Sequence, residues 1–177
     1  MRTLALALLS LAASAAAQDA STPGAPGAEA VVGAYADAFA RGDREAAAQM
    51  LDPDELAAFV GALRRLGALG EDLPFAVDPD AAPAQAFAGF LDAVMGAEPL
   101  MGEALSTLRT EVLGSVPEGD SLRHVVVRSR FALGGEEAGG VEVTTARWAG
   151  GRWAVTFDEK MRQFQRGIEA AVARGGE

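Results

Sequence analysis

The chain predicts an α+β fold: N-terminal helices packed on a bent antiparallel sheet of about four strands, with a C-terminal helix. Three observations carry this prediction. Apolar residues recur at helical spacing up to about residue 96. From about Arg109 the period shortens towards two and β-branched residues become frequent. After Phe157 the helical spacing returns. Helices and strands are therefore segregated along the chain, as in α+β rather than α/β proteins.

The first helix is "GAEAVVGAYADAFARG", where Val31, Tyr35 and Phe39 recur every fourth residue with Val32 and Ala36 beside them. Gly42 ends it and Asp43 caps a short second helix, "REAAAQML". The third helix has the clearest start. In "DPDEL", Asp52 stands at the N-cap, Pro53 at the first helical position and Glu55 where a capping box needs an acid. Leu56, Phe59, Val60, Leu63 and Leu66 then follow on one side, and Gly67 and Gly70 close the helix. "EDLPFAVDPDAA" reads as a loop, "PAQAFAGFLDAVMG" as a fourth helix, and "EPLMGEALSTL" as one more short helix.

The strands read as two hairpins. "TEVLGSV" and "SLRHVVVRSRFAL" flank a turn at "PEGD", and "GGEEAGG" reads as a turn or loop. "VEVTTARW" and "WAVTF" flank "AGGR". A two-residue turn at Gly150-Gly151 would set Trp148 opposite Trp153, Ala146 opposite Val155 and Thr144 opposite Phe157, all on one face. Val141 and Val143 then fall on the other face unless a bulge shifts the phase. Asp158 caps the closing helix, whose stripe is Met161, Phe164, Ile168 and Val172.

The segment "MRTLALALLSLAASAAAQ" has a basic start, a short apolar run and small residues ending at Ala17. It reads as a secretory signal peptide over residues 1–17. Its apolar run is too short to span a bilayer, and no later stretch is long and apolar enough to do so. Residues 18–27 read as a flexible linker, and 28–174 as a single domain. The expectation is an exported protein, periplasmic or secreted, with no membrane span after cleavage.

The chain has no cysteine, which excludes disulfides, thiol catalysis and Cys-ligated metals. With one histidine as well, the usual zinc sets are excluded. The formal net charge of −10 argues against a nucleic-acid partner and against anionic membrane surfaces. "EEAGGVE" lacks the spacing of a calcium loop, and no Gly motif stands at a strand-to-helix turn. No metal and no cofactor are expected.

The candidate chemistry is sparse. Trp148 and Trp153 form either a cross-strand pair that fixes register or an aromatic wall of a ligand cavity. Tyr35, the only tyrosine, is either a core residue with its hydroxyl at the edge or a hydrogen-bond donor pointing into a cavity. His124, the only histidine, is either an ordinary strand residue or a general base. No Ser or Cys nucleophile stands at a recognisable spacing from it.

The opening "AVVGAYADAFARGDREAAAQMLDPDELAAF", the hairpin "VEVTTARWAGGRWAVTF" and the middle "GSVPEGDSLRHVVVRSR" resemble the NTF2-like superfamily, a cone-shaped α+β fold. The resemblance covers most of residues 28–160, and the last helix departs from the minimal fold. It implies a cavity between helices and sheet. The superfamily includes isomerases, dehydratases, epoxide hydrolases, polyketide cyclases and many non-catalytic binding modules, so fold alone does not give function. Its enzymes need paired acids with Tyr or His in the cavity. Tyr35 resembles a first-helix tyrosine that faces it, while the acids within the strands as read here are Glu111 and Glu142.

The leading expectation is a non-catalytic module that binds a small apolar ligand or an envelope protein, with the open side of the sheet available for a homodimer. Its pocket-lining candidates are Tyr35, Phe39, Phe59, Trp148, Trp153 and Phe157. The alternative is a cofactor-independent isomerase, dehydratase or cyclase, with His124 paired to Tyr35 or Glu142 as the acid–base couple.

Overall fold

The computed structural model describes residues 26–69, 77–96 and 104–175. Residues 1–17, read as a signal peptide, most of the segment read as a linker, and parts of the loop read at 71–82 and of the helix read at 98–108 lie outside the described residues; Ala104 to Thr107 form a helical turn. The elements run in the expected order: α1 (Ala28–Ala40), α2 (Arg44–Gln49), α3 (Pro53–Ala68), α4 (Pro83–Gly96), β1 (Arg109–Glu118), β2 (Leu122–Leu133), β3 (Glu136–Ala149), β4 (Arg152–Val155) and α5 (Glu159–Gly175). The four strands form one antiparallel meander in the order β1-β2-β3-β4.

The helix starts obey their caps. Asp43 accepts from the Ala46 N–H and Asp158 from the Met161 N–H. Asp52 accepts from the N–H groups of Asp54 and Glu55. The capping box at α3 is only half formed. The Asp52 N–H is taken by the Val155 carbonyl, 2.8 Å away. Glu55 turns instead to the Phe157 N–H at 2.6 Å and to Arg162 at 3.0 Å. A backbone partner from across the fold displaces the local one, and the freed carboxylate ties α3 to the end of β4 and to α5.

The Gly150-Gly151 turn forms as its two glycines demand, both at positive φ, and Trp148 opposes Trp153. Gly134 and Gly135 make a second such turn, also at positive φ. Leu133 therefore pairs with Glu136, and β3 starts five residues before Val141. The glycine-rich, acidic composition of "GGEEAGG" suits a loop, but two glycines suffice to turn the chain and the rest pairs with β2. β1 likewise runs on to Glu118, so Glu118, Glu136 and Glu137 join Glu111 and Glu142 as strand acids. β4 is shorter than expected. The regular ladder with β3 ends at Ala146↔Val155, followed only by the Thr156 N–H donating to the Thr145 carbonyl at 2.9 Å, while the other edge of Val155 bonds to Met50 and Asp52.

Leu113 is an extra residue between the pairs Val112↔Val127 and Gly114↔Val126, a bulge that adds local twist to β1. No such shift interrupts β2 and β3. Val125, Val127, Ala146, Trp153 and Val155 are buried and face the helices, while Val141 and Val143 are exposed on the opposite face. The core lies between that sheet face and α1 and α3, which contribute Val32, Phe59, Val60 and Leu63. α1 contacts all four strands. α5 packs on α3 rather than on the sheet, with Ile168 buried.

Candidate functional site

A cavity of about 410 Å³ lies where α1, the middle of β3, the segment after β4 and the start of α5 meet. Strand alternation decides which side chains reach it. Glu142 opposes buried Val127 and Thr144 opposes buried Val125, so both project to the helix side. Tyr35 comes from α1, Asp158 and Glu159 from the N-terminus of α5. The floor is apolar: Leu51, Phe87, Val155 and Phe157 are all buried and line the cavity. The carboxylates of Glu142, Asp158 and Glu159 stand at an exposed rim.

The electrostatics centre on Tyr35. Burial pushes its hydroxyl up to about 12, with the carboxylates of Asp158 and Glu142 adding to the shift. Among the described residues that hydroxyl has no hydrogen-bond partner. At neutral pH it is a protonated donor, unsuited to act as a base. Glu142 accepts from the Ser129 hydroxyl at 3.1 Å. Arg162 is held by Glu55 at 3.0 Å, and Glu159 by Arg166 at 2.6 Å.

Tyr35 is the only tyrosine, so its phenolate band reports this site alone. An alkaline titration should give a midpoint of about 12. Glu142→Gln should lower it only partway, because burial, the main cause, and the Asp158 carboxylate remain. The unfolded chain releases its proton near 10 and the folded one near 12, so stability is unaffected below pH 10 and falls between pH 10 and 12. The loss should reach roughly 2–3 kcal/mol. A midpoint near 10 in the intact protein would contradict the buried placement.

His124 is elsewhere. It lies between buried Arg123 and Val125 on β2 and so projects to the opposite face of the sheet from Tyr35 and Glu142. There Nε2 meets Glu118 Oε2 at 2.6 Å and Nδ1 meets the Thr145 hydroxyl at 3.2 Å. The acid–base couple of His124 with Tyr35 or Glu142 therefore does not form; the sheet stands between them. Of the pocket-lining candidates, Tyr35 and Phe157 line the cavity. Phe59 and Trp153 are buried in the core, Trp148 packs edge-on against Trp153 at 5.6 Å, and Phe39 packs beside Tyr35 at 5.9 Å. The tryptophans form the cross-strand pair, with the Arg123 guanidinium over the Trp153 ring.

Asp158, Thr144 and Met161 are cavity residues that sequence reasoning placed only as cap, strand and stripe positions. The register of the Trp hairpin carries a signal for Thr144, which shares a face with Ala146 and Trp148. No helix among the described residues is long and apolar enough to cross a membrane. Among the described residues no group of three or more His, Asp or Glu side chains is arranged to hold a metal ion.

Fold and site define a class: an α+β domain whose open antiparallel sheet and N-terminal helices enclose a cavity with an apolar floor and an acidic rim. Comparison with family models, with curated proteins and with solved structures gives no match.

Proposed function

We propose that the chain is an exported, non-catalytic module of the NTF2-like kind that binds a small ligand between its sheet and its helices. The observation that carries this reading is the cavity of about 410 Å³, a size in the range of small-molecule sites. Its make-up supports the same reading: an apolar floor to bury a ligand body and a few polar groups to orient it. Export rests on the signal-peptide pattern of residues 1–17. An acid–base enzyme is less well supported, because the lone histidine is across the sheet and the lone tyrosine is held protonated.

The test is untargeted mass spectrometry of small molecules that co-purify with the chain. Thr144→Phe fills the cavity, and Val141→Phe, on the exposed face, is the control. A compound should accompany the wild type and Val141→Phe and be lost from Thr144→Phe. Identical extracts from all three proteins would sink the proposal.

A further inference from the structure

We infer that the cavity takes an organic cation with an apolar body, the charged head held at the rim between Glu142 and Asp158 beside Tyr35. This rests on the ligand-binding reading above and names the class of ligand. The charges at the rim carry it. Arg162 is neutralised by Glu55 and Glu159 by Arg166. Glu142 and Asp158 have no cationic partner among the described residues; each accepts only a neutral donor, the Ser129 hydroxyl and the Met161 N–H respectively. Two carboxylates without countercharge therefore stand over an apolar floor.

Tyr35 is the second, independent pointer. It lines the same cavity, its hydroxyl has no hydrogen-bond partner among the described residues, and burial, with those same two carboxylates adding to it, holds its proton more tightly. The site is thus short of positive charge. An anionic ligand would be repelled, and a neutral one would leave both carboxylates as they are. A cation is drawn by the carboxylates and by the face of the tyrosine ring. Two carboxylates fall short of the six to eight oxygens that calcium takes, and the floor of Leu51, Phe87 and Val155 calls for hydrocarbon.

The test is calorimetric titration of the full chain with three probes of equal chain length: hexyltrimethylammonium, hexanol and hexanoate. A quaternary ammonium keeps its charge at alkaline pH, so the same probe serves in the Tyr35 titration. Hexyltrimethylammonium should bind at least about tenfold more tightly than hexanol, weaken with salt, and lower the Tyr35 midpoint. Hexanoate should give no heat. Glu142→Gln and Asp158→Asn should each weaken the cation by roughly three- to tenfold and leave hexanol unchanged. Asparagine still caps α5, so the second variant keeps the fold. If hexanol binds as tightly as the cation, or if neither variant alters cation affinity, the charge inference falls and the ligand-binding module stands. If none of the three probes binds, the inference falls as well, and co-purification alone decides the module.

Discussion

Phe59→Ala should lower stability by about 3–5 kcal/mol, with a fall in Tm on the order of 10 °C. Phe59 is fully buried on α3, and four aromatic rings converge on it. Phe87 and Phe90 from α4 lie at 5.4 Å, both edge-on, and Phe157 after β4 lies at 5.5 Å. Phe164 from α5 is at 6.1 Å. Truncation removes the apolar transfer term and leaves a void that rings held by three separate segments cannot close. Phe59→Leu should cost markedly less, because it keeps most of the volume. Chemical denaturation of the three proteins checks this. A loss below about 1.5 kcal/mol for the alanine variant would mean that the cluster collapses around the gap.

Asp52→Ala should be the most damaging polar substitution, at about 2–4 kcal/mol. Asp52 is fully buried and its two oxygens serve two jobs. Oδ1 caps α3 through the Asp54 and Glu55 N–H groups. Oδ2 accepts both Nε and Nη2 of Arg147, at 2.8 and 2.6 Å. The bond to Asp52 is also the chief reason the Arg147 guanidinium holds its proton more tightly than usual. Arg147 belongs to β3, so the pair spans β4 and clamps the sheet to the α2–α3 junction. The Arg147 side chain remains 39% exposed and regains water when the carboxylate is lost, which keeps the cost below that of a fully buried pair. Asp52→Asn separates the jobs, since asparagine still caps but carries no charge. A double-mutant cycle over Asp52→Ala and Arg147→Ala should show a coupling of roughly 1 kcal/mol or more. Additive losses would reduce the clamp to a helix cap alone.

The fold was legible because its signals are local. Five apolar residues on α3, Pro53 at its start and the Gly150-Gly151 turn each act within a few positions of themselves. Where the expectation slipped, a distant partner had intervened. Glu55 left the capping box because Val155 had taken the Asp52 N–H. Val155 gained a second pairing, to Met50 and Asp52, on the edge turned away from β3. β3 began early because residues 136–140 found partners on β2. The candidate site was legible only in part. Tyr35 and Glu142 were named, and strand alternation suffices to place Glu142 and His124 on opposite faces once β2 and β3 are in register. That register follows from the Gly134-Gly135 turn, which composition disguised as a loop.

The sequence by itself determined the order of helices and strands, the helix caps, the Trp148–Trp153 pairing and the absence of cysteine chemistry. Periodicity, capping and turn geometry depend on neighbours in the chain, and a sequence displays its neighbours. Only the tertiary structure decided that Tyr35, Glu142 and Asp158 share one cavity, that His124 lies across the sheet from it, and that Asp52 holds Arg147. These depend on how α1, β3 and α5 pack across the chain, where no local pattern reveals which charges meet and which stay uncompensated.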